Sequence, residues 1–335
     1  MKERTVAPTR LAITLVAVLL TAACAIGGAP LVVIGQNVPA PPPLPAGVST
    51  YAAPTASPGA AAPQGCDPVA SYRPPAAMPA PGTMPFNSTM AHIYARGKLI
   101  VGVDENTYLF GYLNASDGQV EGFDIDIASA VATAIFGSAA GHLQLKVIGN
   151  DQRIPDLKNN SVDLVADTMT ENCARWQQID FSTEYYAATQ RVLVDKDTTY
   201  QSLADLGGKK VCAQSGSTSI ATVARASSHP VPIAAPGITD CLILLQEGEV
   251  DAISTDDAIL AGLAAQDPQT HIVGPALEAE PYGIGVSQGN QDLVRFVNGV
   301  LDQLRADGGW AALYTKWPGR LGGTAPPPPA AVYRD

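Results

Sequence analysis

Residues 150–182 read NDQRIPDLKNNSVDLVADTMTENCARWQQIDFS. The run RIPDLKNNS has the spacing of a short helix ended by NNS. VDLVADTM follows as an apolar run of strand length, and the composition suits a buried strand. Two arginines, Arg153 and Arg175, flank that strand. Arginines beside a core strand are either paired with surface carboxylates or kept for an anionic ligand.

The pattern continues on both sides. HIYARGKLIVGVD predicts a short helix and a strand over Leu99–Val103, and GFDIDIASAVATAIF predicts a helix over 122–136, with Asp124 and Asp126 favouring its N-terminal dipole. LQLKVIG is the next strand. After Tyr200 the pattern restarts. SLADLGGKKVCAQSGSTS reads as turn, strand and a Gly/Ser loop into a helix, and DCLILLQEGEVDAISTDDAILAGLAAQ as helix, strand, helix. PYGIGVSQGNQDLVRFVNGVLDQLRADGGWAALYTKW closes the pattern with a strand and two amphipathic helices. Alternating strands and helices predict an α/β fold with largely parallel sheets.

The ends are of different material. Lys2, Arg4 and Arg10 precede an apolar run from Leu11 to Leu20, and Thr21-Ala22-Ala23-Cys24 follows. That run is too short to span a bilayer, so residues 1–23 read as an export signal, with Cys24 as the lipidated first residue of the mature chain. Residues 24–85 are rich in Pro, Ala, Gly and Ser and read as a lipid-anchored tether. Residues 321–335 read as a flexible tail. The formal net charge of −11 over 335 residues disfavours a nucleic-acid partner. The remaining cysteines, Cys66, Cys173, Cys212 and Cys241, allow three disulfide connectivities in an exported protein. No C-x-x-C pair is present, so no metal site is expected, and no cofactor.

In order and spacing, KLIVGVD, EGFDIDIA, RIPDLKNNSVDLVADTMTENCAR, IDFS, DLGGKKVCAQSGSTS, EVDAISTDDAILAG, PYGIGV and DGGWAALYTKW resemble the extracellular solute-binding proteins of family 3, polar amino-acid receptors of ABC importers. Within that family the likeness is to the mycobacterial glutamine-binding lipoprotein type. The resemblance implies a two-lobed type II binding-protein fold that closes on its ligand like a hinged clamp. Two strands would cross between the lobes, near 190–194 and 280–283. Lobe 1 would take 86–190 and 282–320, and lobe 2 would take 193–278. A clamp free to open then implies Cys66–Cys173, tying the end of the tether onto lobe 1, and Cys212–Cys241 within lobe 2.

The resemblance also implies residue roles. Arg175 stands at the arginine of the family motif MT-x-T-x-E-R, here MTENCAR, which grips the ligand α-carboxylate with its planar fork. Thr170 matches a residue that bonds the same carboxylate, and Thr168 one that contacts the α-ammonium. Asp256 matches the ammonium-binding carboxylate, with Asp257 as its neighbour and rival. Ser217 and Thr218 would help hold the carboxylate from the AQSGSTS loop, with Gln214 near the ligand. Arg153 and Asn150 match positions that read an acidic side chain. Asp104 matches glutamine receptors, and an Asp104–Arg153 pair would tolerate an amide. Tyr108 and Phe110 lie in the loop that covers the ligand, or else in the lobe core.

The expected function is therefore an exported, lipid-anchored, monomeric receptor on the outer face of the cytoplasmic membrane. Its ligand would be a free L-amino acid, aspartate or glutamate, with asparagine or glutamine as further ligands. Its membrane partner would be a permease or a sensor. A dehydratase-like enzyme on the same fold is the competing class. Against it, His92, His142, His229 and His271 accompany no carboxylate or thiol motif, and no nucleophile elbow occurs.

Overall fold

The computed structural model describes residues 44–52, 65–322 and 325–335. The expected export signal and the Cys24 lipidation site lie outside the described residues.

In lobe 1, the helix Phe123–Phe136 presents Phe123, Ile127, Val131 and Ile135 at helical spacing, all fully buried. They share one core with Leu99, Val101 and Val103 of the strand Leu99–Val103. Among the described residues the lobe 1 sheet runs Leu143–Val147, Leu99–Val103, Leu164–Val165, Gly285–Ser287, Ile179–Phe181. The first three strands are parallel, and Gly285–Ser287 is antiparallel to both of its neighbours. The strand expected over VDLVADTM is only Leu164–Val165. Thr168 leaves the extended region at φ 39° and donates its N–H to Asp124 Oδ2 at 2.8 Å instead.

Lobe 2 has its own sheet. Among the described residues it runs Ser49–Thr50, Val231–Ala235, Lys210–Gln214, Ala252–Asp256, Tyr186–Asp195, Thr270–Val273. Its core holds Leu193, Cys212, Ile233, Ile253 and Leu260. The strand Tyr186–Asp195 serves both the sheet and the hinge. Its second half pairs with Ala252–Asp256, with Gln190 opposite Asp256. Its first half pairs antiparallel with Ala279–Tyr282, Tyr186 opposite Tyr282. The first crossing therefore lies ahead of 190–194, because the register with Ala252–Asp256 already commits Gln190 to lobe 2.

The tether and the tail are corrected over their described parts. Ser49–Thr50 adds an antiparallel edge strand to lobe 2, and Val48 packs against that lobe's core. Residues 65–85 dock on lobe 1. Ser71 is fully buried and donates to the Phe181 carbonyl at 2.6 Å, while Asn298 donates to the Tyr72 carbonyl at 2.7 Å. Met78 lies over Gly299, where an added Cβ would meet its sulfur at 2.2 Å. The tail pairs Val332–Tyr333 in parallel with Ala70–Ser71, and Arg334 stacks 3.7 Å over the Trp176 ring. Composition hid this because two-residue strands and single anchors leave no periodic signal.

The disulfides are Cys66–Cys173, which fixes the docked segment to lobe 1, and Cys212–Cys241, inside lobe 2. The second closes a separation of 29 residues. Replacing both Cys212 and Cys241 by alanine is expected to cost about 3–4 kcal/mol in the chain-entropy account. Denaturant unfolding with an unchanged midpoint would contradict this.

Candidate functional site

The site forms where the lobes meet, and lobe 1 contributes its two arginines. Asn172 caps the short helix Cys173–Trp176, its side chain accepting the Arg175 N–H at 2.9 Å. That cap aims the Arg175 side chain into the junction. The guanidinium donates to the Thr170 carbonyl at 2.7 Å and to the Gly216 carbonyl of lobe 2 at 3.4 Å. Both partners are backbone carbonyls, so the charge is not neutralised by these bonds. Burial, and then the Arg153 charge, pull the Arg175 pKa down to about 9. Arg175 is 8% exposed, which rules out a solvated surface arginine.

Arg153, at the start of the helix Arg153–Lys158, is 2% exposed. It donates through Nη1 to the Asp167 carbonyl at 2.9 Å and through Nε to the Asn150 carbonyl at 3.2 Å. Its carboxylate neighbour is Asp167, with Oδ2 3.9 Å from Nε. The expected Asp104–Arg153 pair is thus replaced. Asp104 is taken up locally, accepting the Thr107 hydroxyl at 2.6 Å, the Glu105 N–H at 2.8 Å and the Asn106 amide at 3.2 Å.

Lobe 2 brings carboxyls. Asp256 ends the strand Ala252–Asp256, is 4% exposed and accepts the Tyr282 hydroxyl on Oδ2 at 2.8 Å. Its Oδ1 is buried without a partner. Burial, reinforced by the Glu280 charge, raises the Asp256 pKa well above the usual range. The neighbouring Asp257 has a different task. It accepts the Thr189 N–H at 3.1 Å, the Thr189 hydroxyl at 2.7 Å and the Ala258 N–H at 2.8 Å, holding the hinge strand to its own helix.

The AQSGSTS loop reaches across to lobe 1. Ser217 caps the helix Thr218–Arg225, accepting the Ile220 N–H at 3.3 Å and donating to the Gln214 carbonyl at 2.7 Å. Thr218 donates to Glu280 Oε2 at 2.8 Å and sits 3.4 Å from the Thr170 hydroxyl. Gly216, at φ 73°, lies against the backbone of Asn150 and Asp151, where a Cβ would come within 2.7 Å of the Asp151 nitrogen. Any side chain there would hold the lobes apart. The lobes are therefore in contact at Arg175–Gly216, Thr170–Thr218 and Gly216–Asp151.

The remaining residues divide. Gln214 donates to the Pro236 carbonyl at 3.2 Å and lines, with Asp104, a recess of about 260 Å³ between the lobes. Tyr108 abuts Gly262 of lobe 2. Phe110 is fully buried, edge-on to Phe123, Tyr186 and Tyr282, and belongs to the lobe 1 core. Sequence reasoning missed Asp124, Asp167, Glu280 and Tyr282 as members of this junction. Asp124 accepts the Tyr185 hydroxyl and the Thr168 N–H, both at 2.8 Å, and burial raises its pKa to about 6. Two buried guanidiniums, with Asp124 and Asp167 beside them on one lobe and Asp256 on the other, suit a ligand carrying both charges.

Residues 99–320 match the family model of bacterial extracellular solute-binding proteins, family 3. The chain is 36% identical over 230 residues to the ABC transporter glutamine-binding protein of Bacillus subtilis, covering 68% of this chain and 84% of that one. It is 27% identical over 246 residues to the glutamate/aspartate import solute-binding protein of Salmonella typhimurium, covering 70% and 81%. An ancestral arginine-binding protein bound to glutamine superposes with TM-score 0.62 at 34% identity, covering 66% of this chain and 98% of that one. The family is one of extracellular solute-binding proteins, and the relatives named above are binding proteins of amino-acid transport rather than enzymes. The chain belongs to the bacterial extracellular solute-binding proteins of family 3, and its two lobes and crossing strands are the type II binding-protein fold.

Proposed function

We propose that the protein is an extracytoplasmic, lipid-anchored receptor for a free L-amino acid with an acidic or amide side chain. Aspartate and glutamate are its first ligands, and asparagine and glutamine its further ones. It acts as a monomer and presents the ligand to a membrane partner, an importer permease or a nutrient sensor. The observation that carries the reading is the pairing of unneutralised Arg175 on lobe 1 with Asp256, its Oδ1 unpartnered, on lobe 2.

In this reading the α-carboxylate lies on Arg175, Thr170 and the amides opening the helix Thr218–Arg225, where the Ser217 and Thr218 hydroxyls already hold the loop in shape. The ammonium lies on Asp256, close to Thr168. Arg153, anchored on the Asn150 carbonyl, faces the side-chain terminus, Gln214 and Asp104 line the recess between the lobes, and Tyr108 covers the ligand while Phe110 backs the wall. The relatives named for glutamine and for glutamate/aspartate support this ligand class. Calorimetric titration with a panel of L-amino acids tests it. Saturable binding of glutamate, aspartate and their amides is expected. Binding of none of these four would refute the reading.

A further inference from the structure

Asp167 is the buried group of the junction with the least assigned work. It is 1% exposed, and its Oδ2 is buried without a hydrogen-bond partner. Arg153 Nε is 3.9 Å from that oxygen, close enough for attraction and too far for a hydrogen bond. The same guanidinium is anchored elsewhere, on the Asp167 and Asn150 carbonyls. So Arg153 and Asp167 stand side by side, a donor anchored on two backbone carbonyls and an acceptor whose Oδ2 has no hydrogen bond. A primary amide has a matching pair of faces, a carbonyl that accepts and an NH₂ that donates.

We propose that Asp167 is a specificity-determining residue that reads the ligand's side-chain terminus together with Arg153. Its Oδ2 accepts the side-chain NH₂ of glutamine or asparagine while Arg153 donates to the amide carbonyl. When the ligand is glutamate or aspartate, Asp167 carries a proton taken from solvent and donates it to the ligand carboxylate, with Arg153 on the other oxygen. One pocket thus accepts both side chains. The inference rests on the amino-acid-receptor reading above.

The surroundings permit the protonated form. Burial raises the Asp167 pKa well above the usual carboxylate range. Arg153, from the helix Arg153–Lys158, and Arg175, from Cys173–Trp176, oppose this. Asp104, after Leu99–Val103, and Asp124, from Phe123–Phe136, reinforce it. Tyr185 also senses the Asp167 charge, from its place on Asp124. An acidic ligand adds one more negative charge and shifts the balance further toward the proton.

The test is calorimetry with L-glutamate and L-glutamine across a pH series on the full chain. Glutamate affinity is expected to fall by about tenfold for each pH unit above the Asp167 titration, with glutamine affinity flat. Asp167→Asn keeps one accepting and one donating face, so it should bind both ligands and lose the glutamate pH dependence. Asp124→Asn removes a charge that reinforces the Asp167 proton, so it should keep the dependence and displace it to lower pH. Equal pH profiles for the two ligands, or a dependence that survives Asp167→Asn, would overturn this inference and leave the receptor function standing. Binding of neither ligand by the wild type would overturn both.

Discussion

Arg175→Ala is expected to abolish measurable binding of every α-amino acid while leaving the protein folded. In the proposed complex the guanidinium meets the α-carboxylate that all such ligands share. Truncating one partner of a desolvated charge pair costs about 2–5 kcal/mol, which weakens binding by about 30-fold to several thousand-fold. The free protein loses bonds to the carbonyls of Thr170 and Gly216 but is relieved of a buried cation whose pKa burial has already drawn down to about 9. Binding and stability therefore move apart, which a merely structural arginine would not allow. Arg175→Lys should rescue little, because an ammonium cannot reproduce the two-pronged fork. Wild-type affinity in Arg175→Ala, read by calorimetry, would contradict the assignment.

Asp256→Asn is expected to have a comparable effect through the other end of the zwitterion. The amide keeps an oxygen for the Tyr282 hydroxyl and removes the charge that would meet the ammonium. Affinity should again fall by about 2–5 kcal/mol. Stability of the free protein should move the opposite way. Burial raises the Asp256 carboxyl well above its usual range, so the folded state binds this proton more tightly than the unfolded state does. Its effect is absent at low pH, where the group is neutral in both states. As pH rises through the usual carboxylate range, this group costs a growing amount of stability, which levels off at its full value once the folded protein also ionises. Asp256→Asn removes that cost, and thermal unfolding of the free variant at neutral pH should show a higher midpoint than the wild type. A lower midpoint together with unchanged affinity would place Asp256 in the fold rather than in the site.

The fold was legible because its core segments carry strong periods. Phe123, Ile127, Val131 and Ile135 announce a helix, and Leu99, Val101 and Val103 announce a strand. The docked ends were not legible. Ser49–Thr50, Ala70–Ser71 and Val332–Tyr333 are each two residues long and sit in Pro- and Ala-rich surroundings. The signals available were Cys66, which needs a partner, and the Tyr72, Tyr333 and Arg334 side chains, unusual in a pure tether.

The site divided in the same way. Arg175 and Asp256 were singled out through motifs of the family, and both side chains lie buried at the junction of the lobes. Asp167 was hidden in VDLVADTM, where an Asp near a strand end reads as the start of a turn. Glu280 was hidden because nothing in EAEPYGIG shows that the hinge carries its side chain against Thr218. The Asp104–Arg153 pair failed for a local reason: Thr107, three residues on, supplies a hydroxyl that occupies Asp104 first. Short-range hydrogen bonds of that kind win over long-range pairing at little cost in chain entropy.

The central claim is that one amino acid is held between the two lobes, by Arg175 from one and Asp256 from the other. A crystal structure of the protein with L-glutamate tests it most directly. The account expects the α-carboxylate within hydrogen-bond distance of the Arg175 guanidinium and the ammonium within that distance of Asp256. A glutamate seated on one lobe alone, or placed with its α-carboxylate away from Arg175, would contradict it.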